Sequence, residues 1–250
     1  FWWASTGMWN SSAGTDGRGH LNEGRWLLIG NSRWHWAAGE PGALCTWSAQ
    51  AGVGEFKGLV AWAAVGPVPA AAPLPPERRL HLKDVPLLEQ PDWLGVDRAL
   101  GGWRAWCLAG APVLVADSGT ALSLTLITAE GRFAGGRLLA GAALQLQALG
   151  AETANLPAME PPPALPSKLW PHFTTEAMAA GVLRGLAAAV AEAGREAQIS
   201  CPGCSLWLTG GDGSLLAPLL LQLLASDMQV QLAPNLALEA LAELRPGPDR

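Results

Sequence analysis

The chain has 250 residues, 50% hydrophobic and 15% charged, enough apolar material for one large domain or two small ones and too much for a disordered chain. Its formal charge of −5, with arginines and lysines scattered rather than clustered, excludes a polyanion-binding face, so no nucleic-acid partner is expected. No apolar run approaches the roughly 18 residues a bilayer requires, and residues 1–24 lack the basic and apolar regions of a secretory signal, so a cytoplasmic protein with no membrane partner is expected.

Residues 1–24, rich in Trp, Gly, Ser and Thr without periodicity, read as a poorly ordered extension. Structure is expected from Arg25, where Trp26 to Ile29 form a short apolar run ending at Gly30-Asn31, and Trp34 to Ala38 return as the second strand of a hairpin. Leu59 to Val65 is a buried-strand candidate, and the Pro- and Ala-rich residues 67–76 form a loop. Val113 to Ala116 is a continuous apolar strand running into Asp117-Ser118-Gly119-Thr120, with Leu122 to Thr128 as the next strand. Gly135-Gly136 reads as an interruption, followed by helical spacing over Leu138 to Leu149. After a proline-heavy loop from Pro157 to Pro171, a long Ala-rich helix is expected over Thr174 to Ala193, with Thr174 or Thr175 as its N-cap. Ser205 to Leu208 is a strand, Thr209-Gly210-Gly211 a tight turn and Leu215 to Ala225 a helix. This order is an α/β pattern. The C-x-x-C of Cys201 and Cys204 is read as a turn before a strand, because a zinc site asks for further ligands that Cys45, Cys107 and the histidines do not supply at ligand spacing.

One internal similarity stands out. An apolar strand runs into Gly30-Asn31-Ser32 and another into Ser118-Gly119-Thr120, and each is followed by a second strand. Two strand–turn–strand units suggest a duplicated architecture with a cleft between its halves, although each turn alone is an ordinary hairpin. Small residues at such turns let backbone N–H groups approach a phosphate closely, so two facing turns can hold a triphosphate from both sides.

Asp117-Ser118-Gly119-Thr120-Ala121 resembles the D-x-G-T-A phosphate motif of type III pantothenate kinases. Gly131 to Gly136 is similar to that family's G-x-F-x-G-G, Thr153 to Pro157 to its T-A-x-L-P, and Gly95-Val96-Asp97-Arg98 to its G-x-D-R substrate motif. Thr174 to Gly181 resembles T-x-x-A-M-x-x-G, Thr209-Gly210-Gly211 the turn near the adenosine, and Pro234-Asn235-Leu236 the start of the C-terminal helix. The resemblance spans about residues 25 to 243, with the motifs in order. It implies a duplicated actin-like (ribonuclease H-like) fold of two domains, 25–112 and 113–244, around a nucleotide cleft. It also implies a homodimer that phosphorylates pantothenate with ATP, the first step of coenzyme A synthesis.

By that resemblance Asp97 is the general base, with an N-cap of a helix starting at Arg98 as the structural alternative. Arg98 pairs with the pantothenate carboxylate, a task suited to a bidentate guanidinium, or is a solvated surface residue. Leu88, Gly95, Val96 and Thr174 complete the substrate set, Thr174 from the partner subunit or simply as a helix cap. Gly30, Asn31, Ser32, Thr120, Gly210 and Gly211 fall on ATP. Asp117 falls on a monovalent cation, K⁺ or NH₄⁺, or bonds its own turn, and Mg²⁺ arrives with the nucleotide. Two positions of the expected site depart from the family pattern, and Ala140 also stands in place of a usual proline. Leu28 stands where the first phosphate motif carries an aspartate, and Leu88 stands where a tyrosine lines the pantothenate pocket. The departure at Leu28 motivates the alternative of a non-catalytic nucleotide-binding or regulatory homologue.

Overall fold

A computed structural model describes residues 24–40, 42–224 and 228–247. The expected N-terminal extension lies outside these residues except for Gly24, which opens the first strand.

Four strands form the first sheet: β1 (Gly24–Ile29), β2 (Trp34–Glu40), β3 (Ala43–Ala49) and β4 (Leu59–Ala64), in the order β3-β2-β1-β4. The hairpin expected at Gly30-Asn31 is present, with Leu28 paired to His35 across β1 and β2, and β4 lies parallel to β1. Strand β3 was not anticipated. Its sequence, Ala43 to Ala49, is largely exposed or half-buried and so lacks an apolar run.

The second sheet contains β5 (Val113–Ser118), β6 (Ala121–Ile127), β7 (Phe133–Ala140), β8 (Ser205–Thr209) and β9 (Val230–Leu232), in the order β7-β6-β5-β8-β9. Here the expectation for Gly135-Gly136 is corrected. The pair does not interrupt the chain; it lies inside β7, opposite Leu126 and Thr125 of β6. Leu138 to Ala140 complete that strand, and the following helix begins only at Ala142.

Five α-helices complete the described residues: α1 (Val96–Ala109), α2 (Ala142–Glu152), α3 (Thr174–Ser200), α4 (Gly213–Leu223) and α5 (Leu236–Leu244). Neither Thr174 nor Thr175 caps α3. The cap position is Phe173, without a side-chain hydrogen bond, and both threonines lie inside the first turn. By length and composition α3 passes the threshold for a membrane span, contrary to the expectation that no segment would. Its most apolar 18-residue window is nevertheless 61% buried within the protein, where it serves as a core helix.

Alternation along the strands sends residues to two opposite faces of each sheet and creates three cores. Trp26, Leu28, Ala37, Ala61 and Ala63 from the first sheet meet Val113, Val115, Ile127 and Trp207 from the second, with α1 and α5 packed among them. The other face of the second sheet, including Leu114, Ala116, Leu122 and Leu206, is covered by α2, α3 and α4. The remaining face of the first sheet holds Leu27, Ile29, Trp34, Trp36, Leu59 and Trp62. No helix covers it. Phe56 and the Pro-rich loop do so instead, with the Trp62 indole N–H donating to the Pro75 carbonyl at 2.8 Å. The cleft between the sheets therefore opens beside α1 and α5.

Candidate active site

Helix α1 begins with Gly95 as its N-cap, so Asp97 is the second helical residue and not the cap. Its Oδ1 accepts a hydrogen bond from the Arg98 N–H at 2.8 Å. A Cβ at position 95 would stand 2.5 Å from that oxygen, which explains why glycine precedes the motif. Burial pushes the Asp97 carboxyl above the usual aspartate range, partly offset by the Arg98 hydrogen bond and charge.

Arg98 lies over the second sheet. Its Nε donates to Thr125 Oγ1 at 3.2 Å and its Nη2 to the Leu124 carbonyl at 3.3 Å, leaving Nη1 without a partner among the described residues. The guanidinium finds room because β7 has no side chain at Gly136, where a Cβ would approach Arg98 Nη2 to 2.4 Å. Gly136 thus clears space for the arginine, while Gly135 takes a positive φ of 127° within the strand.

Asp117, near the end of β5, sits beside the turn after β8. Gly210 takes a positive φ of 86° there, and a Cβ on it would come within 2.4 Å of Asp117 Oδ1 and of the Ser118 carbonyl. The Asp212 N–H donates to the Ser118 carbonyl at 2.9 Å, tying the turn to β5. Burial, and then the charge on Asp97, raise the Asp117 carboxyl to about 6.

These residues share one cavity of about 500 Å³. Its walls include Asp97 and Arg98 from α1, Asp117 from β5, Ser123 and Thr125 from β6, and the Thr209-Gly210-Gly211 turn. Leu28 and His35 close it from the first sheet, and Asn235 from the start of α5. The space in front of Leu28 is lined mainly by apolar surface, into which two carboxylates, a guanidinium and an imidazole are set.

The remaining expected residues do not line this cavity. Gly30, Asn31 and Ser32 form the β1–β2 turn, and Thr120 the β5–β6 turn. The Ser32 and Thr120 hydroxyls meet at 2.8 Å, which brings the two turns face to face. Gly95 and Val96 line a smaller cavity of about 300 Å³ with Arg79 and His81. Leu88 is 48% exposed and lies outside the main cavity, bonded through its backbone to Gly131 and Phe133 in the β6–β7 region. Thr174 also lies outside it, exposed at the start of α3.

Sequence reading missed His35, Ser48, Ser123 and Thr125. For Ser123 and Thr125 the signal was present, because polar residues at alternate positions of an apolar strand mark one face as something other than core. His35 was legible only through its pairing with Leu28. The C-x-x-C pair behaves as expected. Cys201 closes α3 and the Cys204 thiol is buried and pushed up to about 12, so it is not a reactive thiolate.

Among the described residues, no three His, Cys, Asp or Glu side chains gather closely enough to cage a metal ion. The donors that are present fit an ion shared with phosphates. Asp117 is a half-buried hard oxygen ligand that no hydrogen-bond donor reaches among the described residues, and Mg²⁺ and K⁺ both favour such oxygen ligands.

Comparison with known proteins gives the family and the fold. Residues 77–196 match the family model for type III pantothenate kinase. A type III pantothenate kinase of Synechococcus elongatus is 37% identical over 239 residues, covering 87% of this chain and 94% of the relative. One from Thermosynechococcus vestitus is 40% identical over 214 residues, covering 80% and 82%. Among solved structures, a Campylobacter jejuni protein assigned to the Baf family superposes with a TM-score of 0.57 at 17% identity, covering 88% of this chain and 96% of that one. A Sinorhizobium meliloti protein of the 2-dehydro-3-deoxygalactonokinase type gives 0.51 at 14% identity, covering 88% and 97%. The fold is the duplicated actin-like fold, and the chain belongs to the type III pantothenate kinase family.

Proposed function

We propose that this protein transfers the γ-phosphoryl group of ATP to the primary hydroxyl of pantothenate, giving 4′-phosphopantothenate and ADP. The observation that carries this reading is the gathering of Asp97, Arg98 and Asp117 into one cavity closed by the Thr209-Gly210-Gly211 turn. Residues 25–112 and 113–244 are taken as two lobes about the cleft, with α5 returning to pack on α1 and the first sheet.

Phosphoryl transfer to an alcohol needs a positioned acceptor, a base for its proton and charge compensation on the phosphates. Arg98 binds the pantothenate carboxylate through the free side of its guanidinium, held flat over β6 by Thr125 and Leu124. Asp97 accepts the proton of the attacking hydroxyl, and its raised pKa brings it closer to the range in which a base is effective. The hydroxyl oxygen bonds to the γ-phosphorus as the bond to the bridging oxygen breaks, and ADP leaves. Gly30-Asn31-Ser32 and Thr120 approach the phosphates from opposite turns, while Gly210 and Gly211 border the adenosine. Mg²⁺ bound with ATP supplies charge neutralisation on the phosphates, and Asp117 offers a ligand to a monovalent cation.

Thr174 reaches substrate only in a homodimer on this reading. Leu169, Trp170 and Phe173, which are 67%, 87% and 67% exposed, flank the start of α3 and give that region an apolar surface suited to a second copy. A soluble biosynthetic kinase of this kind would work in the cytoplasm.

The test is a coupled ADP-release assay with ATP, Mg²⁺, K⁺ and pantothenate. Turnover dependent on pantothenate supports the kinase. Nucleotide binding without such turnover would leave the regulatory homologue that Leu28 suggested.

A further inference from the structure

The cavity presents an electrostatic problem. Its α1 and β5 walls carry two carboxylates, Asp97 and Asp117, and both repel a triphosphate. Arg98 is committed to Thr125 and Leu124 on the acceptor side. On the first sheet Leu28 offers no polar group at all. Trp47 contributes no donor there either, because its ring stacks on Trp36, which belongs to the opposite face of the sheet.

Among the described residues of that wall, His35 is the nitrogen-bearing side chain on the same face as Leu28. It is the cross-strand partner of Leu28, so the two side chains share the cleft-facing side of the sheet. Its Nδ1 lies 2.8 Å from Ser48 Oγ, the residue paired with it on β3. That contact fixes the ring, and Nε2 is left beside the β1–β2 turn, 3.5 Å from where a Cβ on Gly30 would stand. The absence of a side chain at Gly30 keeps this edge of the imidazole uncovered. When the Ser48 hydroxyl donates to Nδ1, the proton of the neutral ring resides on Nε2 and faces the turn.

We propose that His35 Nε2–H donates a hydrogen bond to the terminal phosphates of ATP, with Ser48 holding the ring in the required tautomer. His35 would then supply the polar contact on the β1–β2 wall that Leu28 does not. Burial and the nearby Arg33 charge keep the imidazole pKa below its usual value, which favours the neutral donor. The assignment rests on the nucleotide site described above, but it does not require that pantothenate be the acceptor.

Calorimetric titration of the full chain with ATP and with AMP, each in Mg²⁺ and K⁺, separates the two questions. His35→Ala should weaken ATP by about 10- to 100-fold, the range of a hydrogen bond to a charged group, and leave AMP unchanged. His35→Gln, which retains an N–H donor, should recover part of the loss. Ser48→Ala should weaken ATP by a smaller factor, again sparing AMP. Unchanged AMP binding doubles as the folding control. Equal weakening of ATP and AMP, or no change in either, overturns the proposal, and the Ser48→Ala comparison decides it should His35→Ala fail to fold. A chain that keeps the ATP-selective effect without pantothenate turnover refutes the kinase reading and leaves the role of His35 standing.

Discussion

Asp97 on α1 and Asp117 on β5 line the same cavity, and the charge on Asp97 adds to burial in raising Asp117 to about 6. An unfolded aspartate titrates near 3.8, so between those values the native state holds a proton that the unfolded state has lost. Stability therefore falls as pH rises through that window, and the charged carboxylate costs up to about 3 kcal/mol above it. In buffer free of K⁺ and nucleotide, Asp117→Asn should raise the melting temperature at pH 8 and leave it unchanged below pH 4. Added K⁺ should stabilise the wild type more than the variant. Parallel melting curves for the two proteins across pH would remove both the raised pKa and the cation assignment.

Asp97→Asn tests the base. The amide preserves the shape of the side chain and its acceptor for the Arg98 N–H, but it cannot take a proton. Loss of one positioned base should lower kcat by about 10²- to 10⁴-fold, with little change in ATP affinity. It also removes the charge that helps raise Asp117, so the Asp117 titration should move down, measurable by NMR of the labelled carboxyl. Undiminished turnover would show that the proton goes elsewhere.

Arg98→Lys keeps the charge and discards the fork. Lysine cannot reproduce the paired bonds to Thr125 and Leu124 while reaching a carboxylate as well. The expected result is a rise of about 10-fold or more in KM for pantothenate with KM for ATP nearly constant. A purely electrostatic role would leave both values near wild type.

The elements that sequence reading found first are those with continuous apolar runs: β1, β4, β5, β6 and β8 are buried along most of their length, and α3 is long. What it missed depends on pairing between distant segments. β3 has no apolar run because it sits at a sheet edge, so its pattern resembles a loop. Gly135-Gly136 looks like punctuation locally, yet Gly136 makes room for Arg98, some forty residues earlier in the chain. Asp97, Arg98 and Asp117, which line one cavity, were singled out through short motifs. His35 was not, since its meaning depends on facing Leu28 across a hairpin and Ser48 across the next strand. Leu28 was read as a departure, but the sequence could not show which charged side chains share the space before it.

Gly136→Ala links the fold to the substrate end of the cavity. A Cβ at this position would lie 2.3 Å from the Leu124 carbonyl oxygen and 2.4 Å from Arg98 Nη2. The guanidinium can swing away, but the carbonyl belongs to the neighbouring strand and cannot move without opening the β6–β7 ladder. Overpacking of this kind typically costs about 1–3 kcal/mol, so the melting temperature should fall. Displacement of Arg98 should raise KM for pantothenate while ATP binding, at the opposite turns, stays close to wild type. Gly210→Ala supplies the contrast. There the methyl would press on Asp117 and require a backbone conformation with φ of 86°, so the loss should fall on cation and nucleotide binding instead. If both variants impair pantothenate and ATP equally, the two ends of the cavity are not separable and the assignment of Arg98 to one of them fails.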